Sequence, residues 1–259
     1  MLFSKDQMNN NVTFDAVPKR IVSLVPSQTE LLFDLKLESE VVGITKFCIH
    51  PQQWFQTKQR IGGTKNVNIE LVKSLEPDLI IGNKEENTQA DIELLKQISP
   101  VWMSDIDNLE QSLEMIREIG KITNRVVLSE ELIHSIESNF NSLKKRATNR
   151  WTCLYFMWKD PYFTVGKNTF IDAMIQYCGG INLQIEARYP EWDFSKNIEP
   201  DVILLSSEPY PFNENHLAFF KEKYPNSKIV LVDGEYFSWY GSRLKNAPSY
   251  FEKMIEKII

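Results

Sequence analysis

The feature that most constrains this chain is a doubled alternation of short apolar runs and amphipathic stretches, set on either side of residues 129–146 (SEELIHSIESNFNSLKKR). In that central stretch Leu132, Ile136, Phe140 and Leu143 recur every three or four residues, the spacing of one buried helix face. Ser129 stands where a cap belongs. Glu130 and Glu131 suit the positive first turn, and Lys144, Lys145 and Arg146 suit the negative last one. Strand-like runs before the helix end in EPDLIIGNKEEN, and those after it end in EPDVILLSSEPYPF. The helix reads as a spacer between two similar halves.

In the first half the pattern predicts a polar arm over 1–19 with a short strand at 12–14. A strand follows at 20–25, then a turn at 26–28 and a helix entered after Thr29. Further strands are expected at 41–45, 79–81 and 101–103, and a break at 61–64. Helices are expected after the cap Asn68, over 88–98 and over 109–122. The second half repeats this grammar. Strands are expected at 151–158, 201–205 and 229–232, and helices at 170–177, 214–223 and 247–258. Such alternation predicts an α/β protein of two lobes, each with a mostly parallel sheet. The division expected is an N-terminal arm 1–17, a lobe 18–124, a linking helix 125–148 and a second lobe 149–259. The repeated Glu-Pro-Asp at 76–78 and 199–201 suggests an internal duplication, its prolines ending the preceding helical stretch.

Composition narrows the function classes. At 42% hydrophobic and 25% charged residues the chain is that of a folded globular protein, and no apolar run reaches membrane-spanning length. A net charge of −6 argues against a nucleic-acid partner. Cys48, Cys153 and Cys178 form neither a disulfide framework nor a CxxC knot, so three reduced thiols are expected. Residues 1–20 hold no cationic start followed by an apolar core. That leaves a cytoplasmic chain and an exported chain whose signal is missing both open.

The ligand crevice of a parallel α/β sheet lies outside the carboxyl ends of its strands. The residues there are 26–29, 46–50, 83–86, 158–162, 208–212 and 233–240, rich in aromatics and poor in catalytic pairs. No GxSxG elbow, phosphate-cradling glycine loop or histidine cluster accompanies them. His134 and His216 read as surface residues, whereas His50 stands at a strand end. The loop VDGEYFSWYGSR (232–243) and the stretch around Trp158, Tyr162 and Phe163 suit a large, flat, partly apolar ligand gripped by stacking. Proton-transfer catalysis would want a poised base, and none is visible.

These residues resemble a known family, the periplasmic-binding-protein-like proteins of the helical-backbone type. The matching segments are RIVSLVPSQTELLFDL (20–35), IGGTKNVNIELVKSLEPDLIIG (61–82), DPYFTVGKNTFIDAMIQYCGGINL (160–183) and EPDVILLSSEP (199–209). The resemblance spans about residues 18–258. With RYPEW (188–192) it runs closest to the cobalamin-receptor branch, beside the iron–siderophore and haem receptors of ABC importers. It implies two Rossmann-like lobes joined by one long backbone helix that limits closure, with a ligand held in the cleft between the lobes. It implies no enzyme, no intrinsic cofactor, no metal bound by the chain itself, and a monomer. The ligand implied is a metal chelate such as a corrinoid, haem or ferric siderophore.

Carried over position by position, the ligand-binding residues would be Pro26, Ser27, Lys46, Phe47, Gly63, Thr64 and Asn83 in the first lobe. In the second they would be Trp158, Tyr162, Phe163, Tyr189, Glu208, Trp239, Tyr240 and Arg243. Arg243, Lys46 and Glu208 would match the ligand's charge. The family presents one glutamate per lobe to arginines of the membrane permease. Here the first-lobe position is Gln89, with Glu85, Glu86 and Glu93 nearby, and the second falls at Glu191 and Asp193. A periplasmic or cell-envelope location is implied. Three alternatives stay open: a cytoplasmic sensor or carrier on the same fold, an enzyme with its site at 233–243, and direct binding of a transition metal.

Overall fold

The computed structural model describes residues 2–258 of the chain, which fall into two compact α/β units. The first holds the residues up to Ile106, with Glu110–His134 and Tyr240–Arg243. The second holds Asp107–Leu109, Ser135–Trp239 and the residues from Leu244 on.

The first unit opens with a hairpin, β1 (Leu2–Lys5) and β2 (Asn11–Phe14). It continues with β3 (Ile21–Ser23), α1 (Pro26–Asp34), β4 (Val41–Ile44), α2 (Gln52–Thr57) and β5 (Gln59–Arg60). Then come β6 (Gly62–Gly63), β7 (Asn66–Val67), α3 (Ile69–Ser74), β8 (Leu79–Asn83), α4 (Gln89–Leu95), β9 (Val101–Ser104) and α5 (Leu109–Ile122). Its main sheet is parallel throughout, in the order β5-β4-β3-β8-β9. The strands β3, β8 and β9 are buried at every residue, as expected of parallel strands covered on both faces. Side-chain caps start the helices where the sequence offers them. Asn68 accepts from the Leu71 amide and Thr88 from the Asp91 amide.

Helix α6 (Val126–Arg146) follows, and the boundary between the units falls inside it. The second unit contains β10 (Trp151–Trp158), β11 (Phe163–Thr164), α7 (Phe170–Tyr177), β12 (Gly180–Asn182) and β13 (Val202–Ser206). It ends with α8 (Leu217–Lys223), β14 (Lys228–Val232), α9 (Gly234–Ser238) and α10 (Ala247–Ile258). The sheet runs β11-β10-β13-β14, with β12 also on β10, and β11 is its antiparallel member. Its core is aromatic. Phe156, Trp192, Phe212, Phe220 and Tyr224 are buried with Leu154, Ile203 and Leu205.

Five local expectations need correction. The arm is a hairpin docked on β9: the Gln7 amide bonds the Met103 carbonyl, and Trp102 Nε1 donates to Ser4 Oγ at 3.2 Å. The turn expected at 26–28 is the first turn of α1, because Pro26 needs no amide partner at a helix start. The central helix begins three residues before Ser129. That side chain is no cap; it bonds back to the Val126 carbonyl at 2.9 Å and packs against α5. A Cβ added to Gly120 would lie 2.1 Å from Ser129 Oγ, so the close approach of α5 and α6 needs glycine there. The helix expected over 214–223 is a 3-10 turn (Glu214–His216) followed by α8. His216 is part of the turn: its Nδ1 accepts from the Asn213 amide and its ring packs on Tyr210 and Phe212. Finally, the loop expected at 232–243 contains α9, capped by Asp233.

The two Glu-Pro-Asp motifs do more than end helices. Asp78 accepts from the Lys19 and Arg20 amides at 2.7 and 2.8 Å, and its own amide bonds the Arg20 carbonyl. Asp201 accepts from the Thr152 amide and hydroxyl, both at 2.7 Å, and the Asp201 amide donates back to Thr152 Oγ1. Each aspartate ties the start of one central strand (β8 or β13) to the start of its neighbour (β3 or β10), setting the register of both. The Thr152 bonds hold the Asp201 carboxyl below its ordinary value, so its stabilisation is present above that value and lost on acidification. Replacing Asp201 with alanine is expected to cost about 1 kcal/mol at pH 7, a modest figure because the group is exposed. The difference from wild type should shrink as pH falls below the ordinary carboxylate range in urea titrations.

Candidate functional site

The strand ends of the first unit converge on β4. The chain leaves that strand at Thr45, and Lys46 and Phe47 turn outward. The Lys46 amide bonds the Gly62 carbonyl at 2.8 Å, tying this turn to the β6–β7 hairpin. Beneath it, Cys48 Sγ lies 3.1 Å from the hydroxyls of both Thr29 and Thr45. Above it, the Phe47 ring is 51% exposed and the Lys46 ammonium lies 5.1 Å from its centroid. A Cβ at Gly63 would come within 3.3 Å of that ring and 3.5 Å of the Lys46 stem. Glycine thus lets the edge of the ring and the lysine stem approach the hairpin backbone closely.

Other first-unit candidates are framework. Asn83 is buried: its amide nitrogen reaches Ser104 Oγ at 3.0 Å, and its oxygen accepts from the Glu85 and Glu86 amides. Asn87 links Asn83 to the hairpin by accepting from the Asn83 amide and donating to the Thr64 carbonyl. Thr64 and Ser27 are buried, and Pro26 is half-buried at the start of α1. Tyr240 and Arg243, expected in the second lobe, pack with the first unit. Gly241 (φ 134°) brings its backbone against the Ser27 carbonyl, and Arg243 forms a two-pronged bond to Glu30 at 2.8 and 2.9 Å.

In the second unit Trp158 ends β10 with 41% of its surface exposed, meeting the Tyr210 ring edge-on at 6.0 Å. Tyr162 turns back into the lobe and stacks on Phe219 at 5.3 Å, within the aromatic core. Phe163 is half-buried in β11, opposite Glu191. The Tyr189 ring lies 5.6 Å from the Arg188 guanidinium, which also bonds Asp107. Arg188 carries φ 67°, an uncommon value for a side-chain-bearing residue, and the sequence reading passed over it.

Glu208 is the most altered acid. One carboxylate oxygen accepts from Ser238 Oγ at 2.5 Å and from Trp239 Nε1 at 3.1 Å, and Trp239 itself is buried. A Cβ at Gly234 would meet Ser206 Oγ at 2.4 Å and Glu208 Cγ at 2.6 Å, so only glycine fits there. Burial pushes the carboxyl from 4.5 up to about 7, with the Glu235 and Asp233 charges adding to the rise over the lowering hydrogen bonds. Ser238 and Gly234 lie in the loop 232–243 that the sequence singles out, but neither was among the expected ligand-binding residues.

The carboxylates expected to meet a permease differ between the units. Glu86 is half-buried, and burial raises its carboxyl against the opposing charge of Lys65. Glu85 is half-buried too, whereas Gln89 is exposed at the start of α4. Glu93 pairs with Lys96. Glu191 and Asp193 are exposed, and Asp193 accepts from the Ser195 amide and hydroxyl. All three thiols are free and buried, and among the described residues no helix is long and apolar enough to cross a membrane. Among the described residues no cluster of His, Cys, Asp and Glu has metal-binding geometry. Cavities of about 430 and 600 Å³ in the first unit, at β2 and between α3 and α4, contain none of the strand-end residues.

A family model described as periplasmic binding protein matches residues 21–225. The chain belongs to that family. The uncharacterized ABC transporter substrate-binding lipoprotein YvrC of Bacillus subtilis is 29% identical over 66% of this chain, a match that spans 57% of the lipoprotein. The vitamin B12-binding protein of Vibrio campbellii is 22% identical over 88% of this chain and 86% of its own length. Three solved structures share the fold of this chain. Periplasmic vitamin B12 binding protein BtuF of Vibrio cholerae has a TM-score of 0.80 at 19% identity, covering 93% of this chain and 98% of its own. Heme binding protein HutB of Vibrio cholerae has 0.79 at 19%, covering 91% and 98%. Siderophore binding protein BauB, bound to acinetobactin and ferric iron, has 0.82 at 16%, covering 98% of each chain. The two-lobed α/β architecture with parallel sheets is therefore that of the family.

The Glu208 environment generates a pH prediction. The folded state keeps a proton that the unfolded chain releases near 4.5, so stability falls as pH rises from about 4.5 to 7. Glu208→Gln keeps an oxygen to accept both bonds and removes the titration. Relative to wild type it is expected to gain on the order of 3 kcal/mol between pH 4.5 and pH 8. Chemical denaturation at a series of pH values checks this, and parallel curves for the two proteins would exclude it.

Proposed function

We propose that this protein is the substrate-binding receptor of an ABC importer and captures a metal chelate of the corrinoid, haem or ferric siderophore type. The observation that carries this reading is the pair of exposed aromatics at strand ends, Phe47 in the first lobe and Trp158 in the second. Each is held from below, Phe47 by the Gly63 backbone and Trp158 by Tyr210. A flat, partly apolar ligand gains most from such surfaces, since stacking returns energy that exposure to water withholds. The family membership supports a receptor, and the names of the relatives support this range of ligands.

In this reading Lys46, Phe47, Gly63, Trp158, Phe163 and Tyr189 face the ligand. Pro26, Ser27, Thr64, Asn83, Tyr162, Glu208, Trp239, Tyr240 and Arg243 hold the loops that present them. The chain acts as a non-enzymatic monomer in the cell envelope. Glu191 and Asp193, with Glu85 or Glu86, offer the negative charge that a permease would meet.

Titration of the purified protein with cobalamin, haemin and ferric siderophores, followed by tryptophan quenching and calorimetry, tests the reading. One of the three is expected to bind with saturable heat. Phe47→Ala and Trp158→Ala should each weaken it about tenfold, within the range for loss of a stacked aromatic contact. Binding of none of them would remove the receptor reading.

A further inference from the structure

The exposed ring of Trp158 is carried by a cluster that ends in a histidine. Trp158 meets Tyr210 edge-on at 6.0 Å. Tyr210 packs on Phe212 at 4.8 Å and on His216 at 5.5 Å, and its amide bonds the Met157 carbonyl near the end of β10. Two bonds decide which nitrogen of His216 carries the proton. The Asn213 amide donates to Nδ1 at 3.1 Å, so Nδ1 is bare and the hydrogen of the neutral ring sits on Nε2. Nε2 then donates to the Tyr210 hydroxyl, also at 3.1 Å. Among the described residues no carboxylate lies within ion-pair distance of this ring. The charges on the elements around it are engaged elsewhere or open to water. Lys159 and Asp160 pair with each other at 2.9 Å near Tyr210, Lys221 of α8 bonds the Pro225 and Ser227 carbonyls, and Glu214 is exposed in the turn.

This arrangement changes when the ring gains a second proton. A bare Nδ1 accepts from the Asn213 amide, whereas a protonated Nδ1 sets one N–H against another. Its alternative partner is the Asn213 carbonyl, 3.3 Å away, which already accepts from the His216 amide. The bond from the Asn213 amide is half of the capping box that closes the turn 214–216, the other half being the Asn213 side chain. Protonation therefore loosens the turn at the residue that holds Tyr210. We propose that His216 is a positioning residue for Trp158, acting through Tyr210, and that its neutral ring favours ligand capture. Affinity then falls as pH is lowered through the range in which a histidine gains charge, between about pH 8 and pH 5. The inference rests on the receptor reading and adds a control to it.

The test uses the full chain and two readouts. Without ligand, proton–nitrogen NMR follows the His216 ring and the Trp158 indole N–H, the latter assigned by its loss in Trp158→Phe. The Trp158 signal should shift with the same midpoint as the His216 ring. It should stay still in His216→Asn, whose side-chain oxygen can still accept from the Asn213 amide but does not titrate in this range. With ligand, cobalamin, haemin and a ferric siderophore are titrated at pH 8 and about pH 5.5. The probe that binds should lose about fivefold in affinity for wild type at the lower pH, within the worth of an aromatic contact, and much less for His216→Asn. His216→Ala, with no acceptor, should bind weakly at both. A Trp158 signal indifferent to the His216 titration overturns the positioning role and leaves the receptor reading standing. So does a wild-type affinity that holds at the lower pH, or one that falls equally in His216→Asn. Binding of no probe overturns the receptor reading, and the NMR titration still decides whether His216 positions Trp158.

Discussion

The structure depends on two aspartates that stand in front of strands. Asp78 and Asp201 each bridge the start of one central parallel strand to the start of its neighbour. Parallel pairs lack the tight hairpin that sets antiparallel register, so a side-chain tie at the amino end does that work. What is fixed at one end of a strand determines where the other end stops. The carboxyl ends of β3 and β8 in the first unit, and of β10 and β13 in the second, each carry that unit's strand-end loops.

Those loops pair several of their polar groups internally. Asn83, Asn87 and Thr64 form one chain of bonds. Glu208, Ser238 and Trp239 form a second cluster, and Arg243 with Glu30 a third. Burying such groups without partners would cost several kcal/mol, roughly 1–3 for each, so their pairing is a condition of the fold. The remaining surface is aromatic, Phe47 and Trp158, with Lys46 at the edge of the first. The paired polar groups restrict these loops, which would lower the ordering cost of any binding there.

Much of the fold was legible in the sequence. The helices at 109–122, 170–177 and 247–258 and the strand at 151–158 stand at the expected residues, since their apolar periodicity or β-rich composition is unambiguous. Ser129 was misread as the cap of α6, because its burial against Gly120 depends on a tertiary contact that no local pattern reveals. Helix α9 is five residues long and shorter than any periodicity window. The strand-end loops were legible as to position, and the exposure of their side chains was much less so. Residue types at strand ends do not show which side chains point outward. Tyr162 joins the aromatic core and Trp239 is buried, whereas Phe47 and Trp158 remain exposed.

Native mass spectrometry addresses the central claim, that the strand-end aromatics serve to hold a metal chelate. The full chain would be incubated with an equimolar mixture of cobalamin, haemin and ferric siderophores, desalted, and sprayed under non-denaturing conditions. One metal-containing chelate retained at one molecule per chain, and lost from a Phe47→Ala, Trp158→Ala double variant that keeps its fold, is the predicted result. A spectrum of unliganded chain alone, or an adduct unaffected by the double substitution, would contradict it.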